Sequence, residues 1–397
     1  MDDDGKLSAA NLPDDVFVDI LSRLPVRQLC SCKCVSRAWC DLISHPDHRR
    51  RLAQTVSGFF YHLHVDASCP PIPYWRFSSA ASPPGGAHVV DPAFPFLPSS
   101  FSRTETELLD SCNGLLLLRC CRASPSPSSS LYVVCNPATG KWVELPAPTN
   151  APGTFGLRSD YLHGRRRTRL AALAFDPAVS STRFHVFQLV ERDHYQPFLS
   201  QYRFVVEAVE IYSSETSRWV PSSSTEWSCQ VTCTGQQATY HNGSLHFAVD
   251  DGGVMSVDTN ASWRITYVFP HSQETFGGGF VGRSQGRLLY VHKGSRYASL
   301  SVYSLERRRW SAEQWTLKHY ASPLDQFRKT LFKEHDGVVA VHPDGDVIFL
   351  FDACRGMLMA YDMVRRTVRD IQPLAQASPY YPFFPYVPLH SSEALAG

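Results

Sequence analysis

Cys30, Cys32, Cys34 and Cys40 lie close to His45 and His48 near the start of the chain. Cys and His at that density are the ligand types of tetrahedral zinc sites. The Cys-x-Cys-x-Cys spacing lacks the paired Cys-x-x-Cys of structural zinc sites, and small cysteines pack readily on helix faces, so packing is the expected role. Cys120-Cys121 is read as strand packing for the same reason. Gly277, Gly279 and Gly282 satisfy the letters of a dinucleotide loop, but the apolar run from Leu288 to Val291 follows where a helix is required, which predicts a turn between sheets. No G-x-S-x-G, H-E-x-x-H or phosphate-loop lysine motif occurs, and the sixteen histidines form no ligand pattern. No catalytic residue, metal or cofactor is therefore expected.

The remaining chemistry is that of surfaces. The runs Arg49-Arg50-Arg51, Arg165-Arg166-Arg167 and Arg307-Arg308-Arg309 are short and read as solvated loops or helix ends. Thirty-eight Lys and Arg against thirty-seven Asp and Glu leave a net charge of +1, so no global field draws in nucleic acid or an anionic membrane. In 397 residues, 43% are apolar and 19% charged, the usage of a folded chain with room for two or three domains. The longest apolar runs, Leu115 to Leu118 and Val347 to Phe351, are far too short to cross a bilayer as helices. The acidic start from Met1 to Lys6 has no apolar stretch behind it, so the expected setting is the nucleus or cytoplasm, with reduced thiols. Asn242-Gly243-Ser244 and Asn260-Ala261-Ser262 are then turns and not glycosylation sites.

Residues 12–54 carry a helical period. Val16, Ile20, Leu21 and Leu24 recur at helical spacing behind Pro13, Asp14 and Asp15, which suit a first turn, and Leu24-Pro25 ends the segment. A second segment carries Val26, Leu29, Cys30 and Cys34. A third follows Ser36, an N-cap, with Trp39, Leu42 and Ile43 on one side. A unit of this size buries too little surface to stand alone, and it has more apolar positions than one three-helix core can use. This predicts a docking module whose outer apolar face meets a partner.

The clusters Leu12-Pro13-Asp14-Asp15, Asp19 to Val26, Cys34 to Trp39 and Leu42 to Pro46 resemble the F-box motif in its plant form. The resemblance implies a three-helix domain that docks on a Skp-type adaptor and, through it, on a cullin-RING ubiquitin ligase. Position by position, it places Leu12 and Pro13 at the family's Leu-Pro contact and Ile20, Leu21, Leu24, Pro25, Val26 and Leu29 on the apolar docking ridge, continued by Val35 and Trp39. Some of these side chains must instead hold the three helices together. The chain departs from the plant pattern at Cys30-Ser31-Cys32 and at His48.

Beyond residue 54, short alternating runs of Val, Phe, Tyr and Leu replace the helical period, and closing positions recur at Trp142, Trp219, Trp263, Trp310 and Val368. Their spacings of 77, 44, 47 and 58 residues are those of propeller blades with insertions. Turns precede the strand of most units, at Asn113-Gly114, Asn242-Gly243, Gln285-Gly286 and Asp344-Gly345. The expected fold is mainly β: a β-propeller over 55–375, of six blades with five legible, the degenerate sixth drawn from 55–110. Residues 1–11 form a flexible start and 376–397 a tail. Ser111 to Leu116, Asn136 to Thr139 and His342 to Asp346 resemble the kelch-like F-box-associated propellers of plants, which implies that an unknown client protein binds the propeller for ubiquitination. The alternatives are a propeller that binds a small ligand or acts as an enzyme, or an F-box protein with a non-degradative adaptor role.

Overall fold

The computed structural model describes residues 12–24, 28–29, 32, 35–45, 48, 52, 56–63, 75–80, 90–122, 130–149, 166–167, 171–196, 201–221, 229–230, 237–249, 252–269, 279–294, 299–306, 313–321, 337–374, 376–378, 382–389 and 395. Six antiparallel sheets follow the helical head. Blade I comprises Glu107–Cys112, Leu115–Cys120, Leu131–Asn136 and Lys141–Glu144. Blade II comprises Ala171–Phe175, Phe184–Gln196, Gln201–Ser213 and Arg218–Pro221, with the two-residue strands Arg166–Arg167 and Cys229–Gln230 added to it. Blade III comprises Thr239–His241, Ser244–Ala248, Gly253–Asp258 and Trp263–Tyr267. Blade IV comprises Phe280–Ser284, Arg287–Lys293, Leu300–Glu306 and Gln314–Ala321. Blade V comprises Gly337–Val341, Val347–Asp352, Met357–Asp362 and Thr367–Pro373.

Blade VI joins the two ends of the chain. Gly58–His62 pairs with Trp75–Ser79 on one side and with Phe384–Tyr386 on the other, in the register Gly58 to Tyr386 and Phe60 to Phe384. Contacts run from Phe384–Tyr386 to the first strand of blade I and onward, first strand to first strand, until blade V meets Phe384–Tyr386 again. The ring is closed, with the C-terminal strand as one of its six innermost staves. Two sequence expectations change here. The propeller extends past residue 375, because residues assigned to a tail supply an inner strand. The segment 55–110 gives two strands to blade VI and its last residues to blade I.

A blade exposes two apolar faces, and the period-two geometry of a strand feeds both. In blade I, Leu116 and Leu118 enter the cluster shared with blade VI, while Leu115 and Leu117 enter the one shared with blade II. This is why Leu115 to Leu118 reads as an unbroken apolar run. Six such buried clusters occupy the six junctions between blades. The closing residues Trp142, Trp219, Trp263 and Val368 pack into clusters shared with the preceding blade. Trp219 also donates its indole N–H to the Pro146 carbonyl of blade I at 2.7 Å. Trp310 lies outside the described residues, and the equivalent wedge in blade IV is Trp315, which pairs with Leu305 and donates to Thr266 Oγ1 of blade III at 3.1 Å. A longer connection into the outer strand moved the wedge by five positions.

The turns follow their sequences. Asn113-Gly114, Asn242-Gly243 and Gln285-Gly286 all have positive φ at both positions, the type I′ geometry that matches the twist of a two-residue hairpin. Gly282 is explained by space: a Cβ there would press on Val341 of blade V, where two inner strands approach at the axis. It serves strand packing and no phosphate loop. Gly279 abuts the Tyr290 ring in the same way, and Gly277 lies outside the described residues. In the Asn-Pro-Ala-Thr-Gly segment, Asn136 accepts the Ala138 N–H at 3.0 Å and donates Nδ2 to the Leu389 carbonyl at 2.9 Å. One buried amide thus shapes a turn and holds the C-terminal segment.

Buried histidines give the fold a defined response to acid. His246 donates Nε2–H to the His241 carbonyl and accepts at Nδ1 from the Ser256 hydroxyl at 2.8 Å. Burial pushes His62, His241 and His246 down to about 4 from an ordinary 6.5, so the fold favours their neutral forms. Their contribution is complete above about pH 6.5 and is lost as pH falls toward 4, on the order of 3 kcal/mol for His246 alone. Asp110 acts in the opposite sense, because burial raises it from 3.8 to about 7, so its contribution is complete below about pH 4 and is lost as pH rises to 7. Thermal melts are therefore expected to fall between pH 6.5 and 4, and more steeply in Asp110→Asn. A flat profile over that interval would contradict the assignment.

Candidate functional site

The head is built from α1 (Asp14–Ser22) and α2 (Arg37–Ser44), with Gln28, Leu29 and Cys32 also helical. Pro13 is the residue before α1, and its carbonyl accepts the Val16 and Phe17 N–H groups, while Asp14 and Asp15 complement the positive end of the helix. Ser36 caps α2 by accepting the Trp39 N–H at 3.2 Å. Phe17 meets the Trp39 ring edge-on, at 5.2 Å between centroids, and ties the helices together.

The head's core is Val18, Leu21, Leu29, Ile43 and Leu52, with Leu24, Cys32, Trp39 and Leu42 packed against it. This divides the residues expected on the docking ridge. Leu21 and Leu29 are buried at 1% and 2% exposure inside the head itself, so they are core residues and cannot touch a partner in this arrangement. Leu24 and Trp39 are half-buried against that core. Leu12, Ile20 and Val35 are exposed at 40%, 47% and 64%, and Pro13 is exposed beside them. Pro25 and Val26 lie outside the described residues. Val16, at 43% exposure, belongs with Leu12 and Ile20, and the sequence reading had placed it only in the helical period. Its signal is present in the spacing, since Val16 and Ile20 stand four apart on one stripe of α1. Leu12 just before α1, Val16 and Ile20 on it, and Val35 leave apolar surface that the head's own fold does not cover. Cys32 and Cys40 are free thiols, Cys30 and Cys34 fall outside the described residues, and no metal-holding group of three occurs among the described residues.

At the axis of the propeller, the inner strands enclose a cavity of about 750 Å³. Its lining includes Asp110, Asp176, Tyr240, His241, Arg283 and Asp344, with Leu52 and Val56 from the end of the head along one side. The Asp110 carboxylate accepts the Leu173 N–H of blade II at 2.7 Å and its neighbouring Ser111 N–H at 2.7 Å, so it staples two blades. The Arg283 cation helps to hold His241 neutral, after burial itself.

Two family matches fit this geometry. Residues 9–55 match the F-box-like family, and residues 93–374 match the family described as F-box protein At3g26010-like, beta-propeller. The chain belongs to this F-box propeller family. Among curated relatives, the Arabidopsis thaliana F-box protein At5g07610 is 27% identical over 330 residues, spanning 77% of this chain and 69% of that protein. F-box protein At5g49610 of the same plant is 28% identical over 239 residues, or 60% of this chain and 58% of the relative. Of solved structures, an oligogalacturonate lyase in complex with manganese aligns at a TM-score of 0.38 and 9% identity over 70% of this chain and 80% of its own. That overlap is too loose to say anything about chemistry. The F-box propeller described here is thus a two-part chain: a helical head and a closed six-bladed body. No helix among the described residues is long and apolar enough to cross a membrane.

Proposed function

We propose that this F-box propeller is the substrate-recognition subunit of an SCF-type (Skp-cullin-F-box) ubiquitin ligase acting in the nucleus or cytoplasm. The observation that carries the reading is the exposure of Leu12, Val16, Ile20 and Val35 on a head whose own core is complete without them. Burying such side chains is worth about 1.5–3 kcal/mol each, enough for a small helical surface to hold a partner groove. The head docks on a Skp-type adaptor and so on a cullin-RING scaffold. The propeller holds a client protein, and tethering raises the effective concentration of the client's lysines near the ubiquitin-charged enzyme. The role is that of an adaptor, and no residue of this chain takes part in the transfer chemistry.

The test is reconstitution with a purified Skp-type adaptor, cullin-RING core and ubiquitin-charging enzymes. The intact chain is expected to coelute with the adaptor and to become ubiquitinated itself when no client is supplied. Failure of the folded chain to bind the adaptor would overturn the reading.

A further inference from the structure

Arg283 stands at the end of the inner strand of blade IV and lines the axial cavity. Among the described residues, no carboxylate lies within ion-pair distance of its guanidinium and no hydrogen bond engages it. A half-buried guanidinium with five donors and no acceptor is an unusual arrangement inside a fold. Its surroundings explain why no neighbour satisfies it. Asp110 spends its carboxylate on the Leu173 and Ser111 amides, and Asp176 accepts the Ala178 N–H at 3.0 Å. His241, on the facing strand end of blade III, is held neutral and offers ring nitrogens without adding charge. The type I′ turns Asn113-Gly114, Asn242-Gly243 and Gln285-Gly286 form a rim around the same end of the channel.

We propose that this end of the channel is a binding site for a carboxylate, held by Arg283, and that in the adaptor it reads an acidic side chain of the client. The second half of this statement rests on the function proposed above, whereas the first does not. Chemistry favours a singly charged group. Arg283 supplies a planar pair of donors suited to a carboxylate, while Asp176 on the wall repels each additional negative charge. A phosphate dianion therefore meets the same guanidinium at a disadvantage. The cavity volume lies within the range that admits a small ligand or a side chain with its neighbours.

The experiment uses the full chain and follows binding by NMR or calorimetry with three probes: butyrate, inorganic phosphate, and a short peptide bearing one Glu beside its Gln counterpart. Butyrate or the Glu peptide is expected to bind more tightly than phosphate, and Arg283→Gln to weaken that binding about tenfold or more. Arg287→Gln, which removes the same charge from an exposed site near Glu306 in blade IV, is expected to leave binding unchanged. Binding of butyrate alone would support the carboxylate site and remove its assignment to client side chains. Tighter binding of phosphate, equal binding in Arg283→Gln, or no binding of any probe would overturn the proposal. Because the adaptor is bound by the head, coelution of Arg283→Gln with the adaptor separates failure here from failure of the ligase reading.

Discussion

Removal of residues 376–397 is expected to abolish the cooperative unfolding transition of the propeller. The deleted segment holds Phe384 and Tyr386, buried at 2% and 0% exposure in the cluster between blades VI and I, and Leu389, buried at 1% in the cluster between blades I and II. Truncating one such side chain to alanine costs about 2–5 kcal/mol, and three together reach the whole stability of a typical domain, about 5–15 kcal/mol. The loss also strips hydrogen-bond partners from Gly58–His62 and opens the ring of inner strands. Circular dichroism melts and limited proteolysis of the truncated chain report this directly. Tyr386→Ala provides a graded version, with an expected loss of about 3–5 kcal/mol. A truncated chain that melts like the intact one would show that the C-terminal strand is dispensable.

The second large effect separates surface from core within the head. Leu12→Asp, Val16→Asp and Ile20→Asp combined are expected to reduce adaptor binding by at least about a hundredfold, since a desolvated apolar contact becomes three buried charges. The melting profile should stay close to that of the intact chain, because these side chains already face solvent. Leu21→Ala and Leu29→Ala are expected to fail for a different reason, by destabilising the head about 2–5 kcal/mol through cavities in its core. The pair of measurements, adaptor pull-down beside a thermal melt, distinguishes the two classes. Full adaptor binding by the triple Asp variant would remove α1's outer stripe from the interface.

How much of this was legible in sequence depends on the range of the interactions concerned. The two-residue turns could be read because Asn-Gly and Gln-Gly declare a local backbone requirement. The wedge positions Trp142, Trp219 and Trp263 could be read because the hairpin preceding each has nearly constant length. Trp315 was missed because its hairpin is longer, and a fixed count then lands on Trp310. The inner strand at Phe384–Tyr386 was hidden because its partner lies at the other end of the chain and no local period marks three residues. In the head, periodicity showed which positions are apolar but not which face is outward. Leu21 and Ile20 are adjacent and similar, yet one is buried and the other exposed, and only the packing of α2 against α1 decides between them. The channel could not be anticipated at all, since Asp110, Asp176, His241 and Arg283 come from four different blades.

The pairing of Gly58 with Tyr386 also sets a schedule. A ribosome adds about 5–20 residues each second, so the strand at Gly58–His62 waits on the order of tens of seconds for its partner to be made. During that interval Phe59 and Phe60 have no inner strand to cover them, and a contact so distant in sequence is slow to form even afterwards. The head's own core draws on none of those residues. A newly made chain therefore passes through a stage in which the residues of the head's core are all present while the propeller is unclosed and rich in exposed apolar surface. Under the function proposed above, that order presents the docking surface before the recognition surface, and leaves the unfinished body beside the ligase.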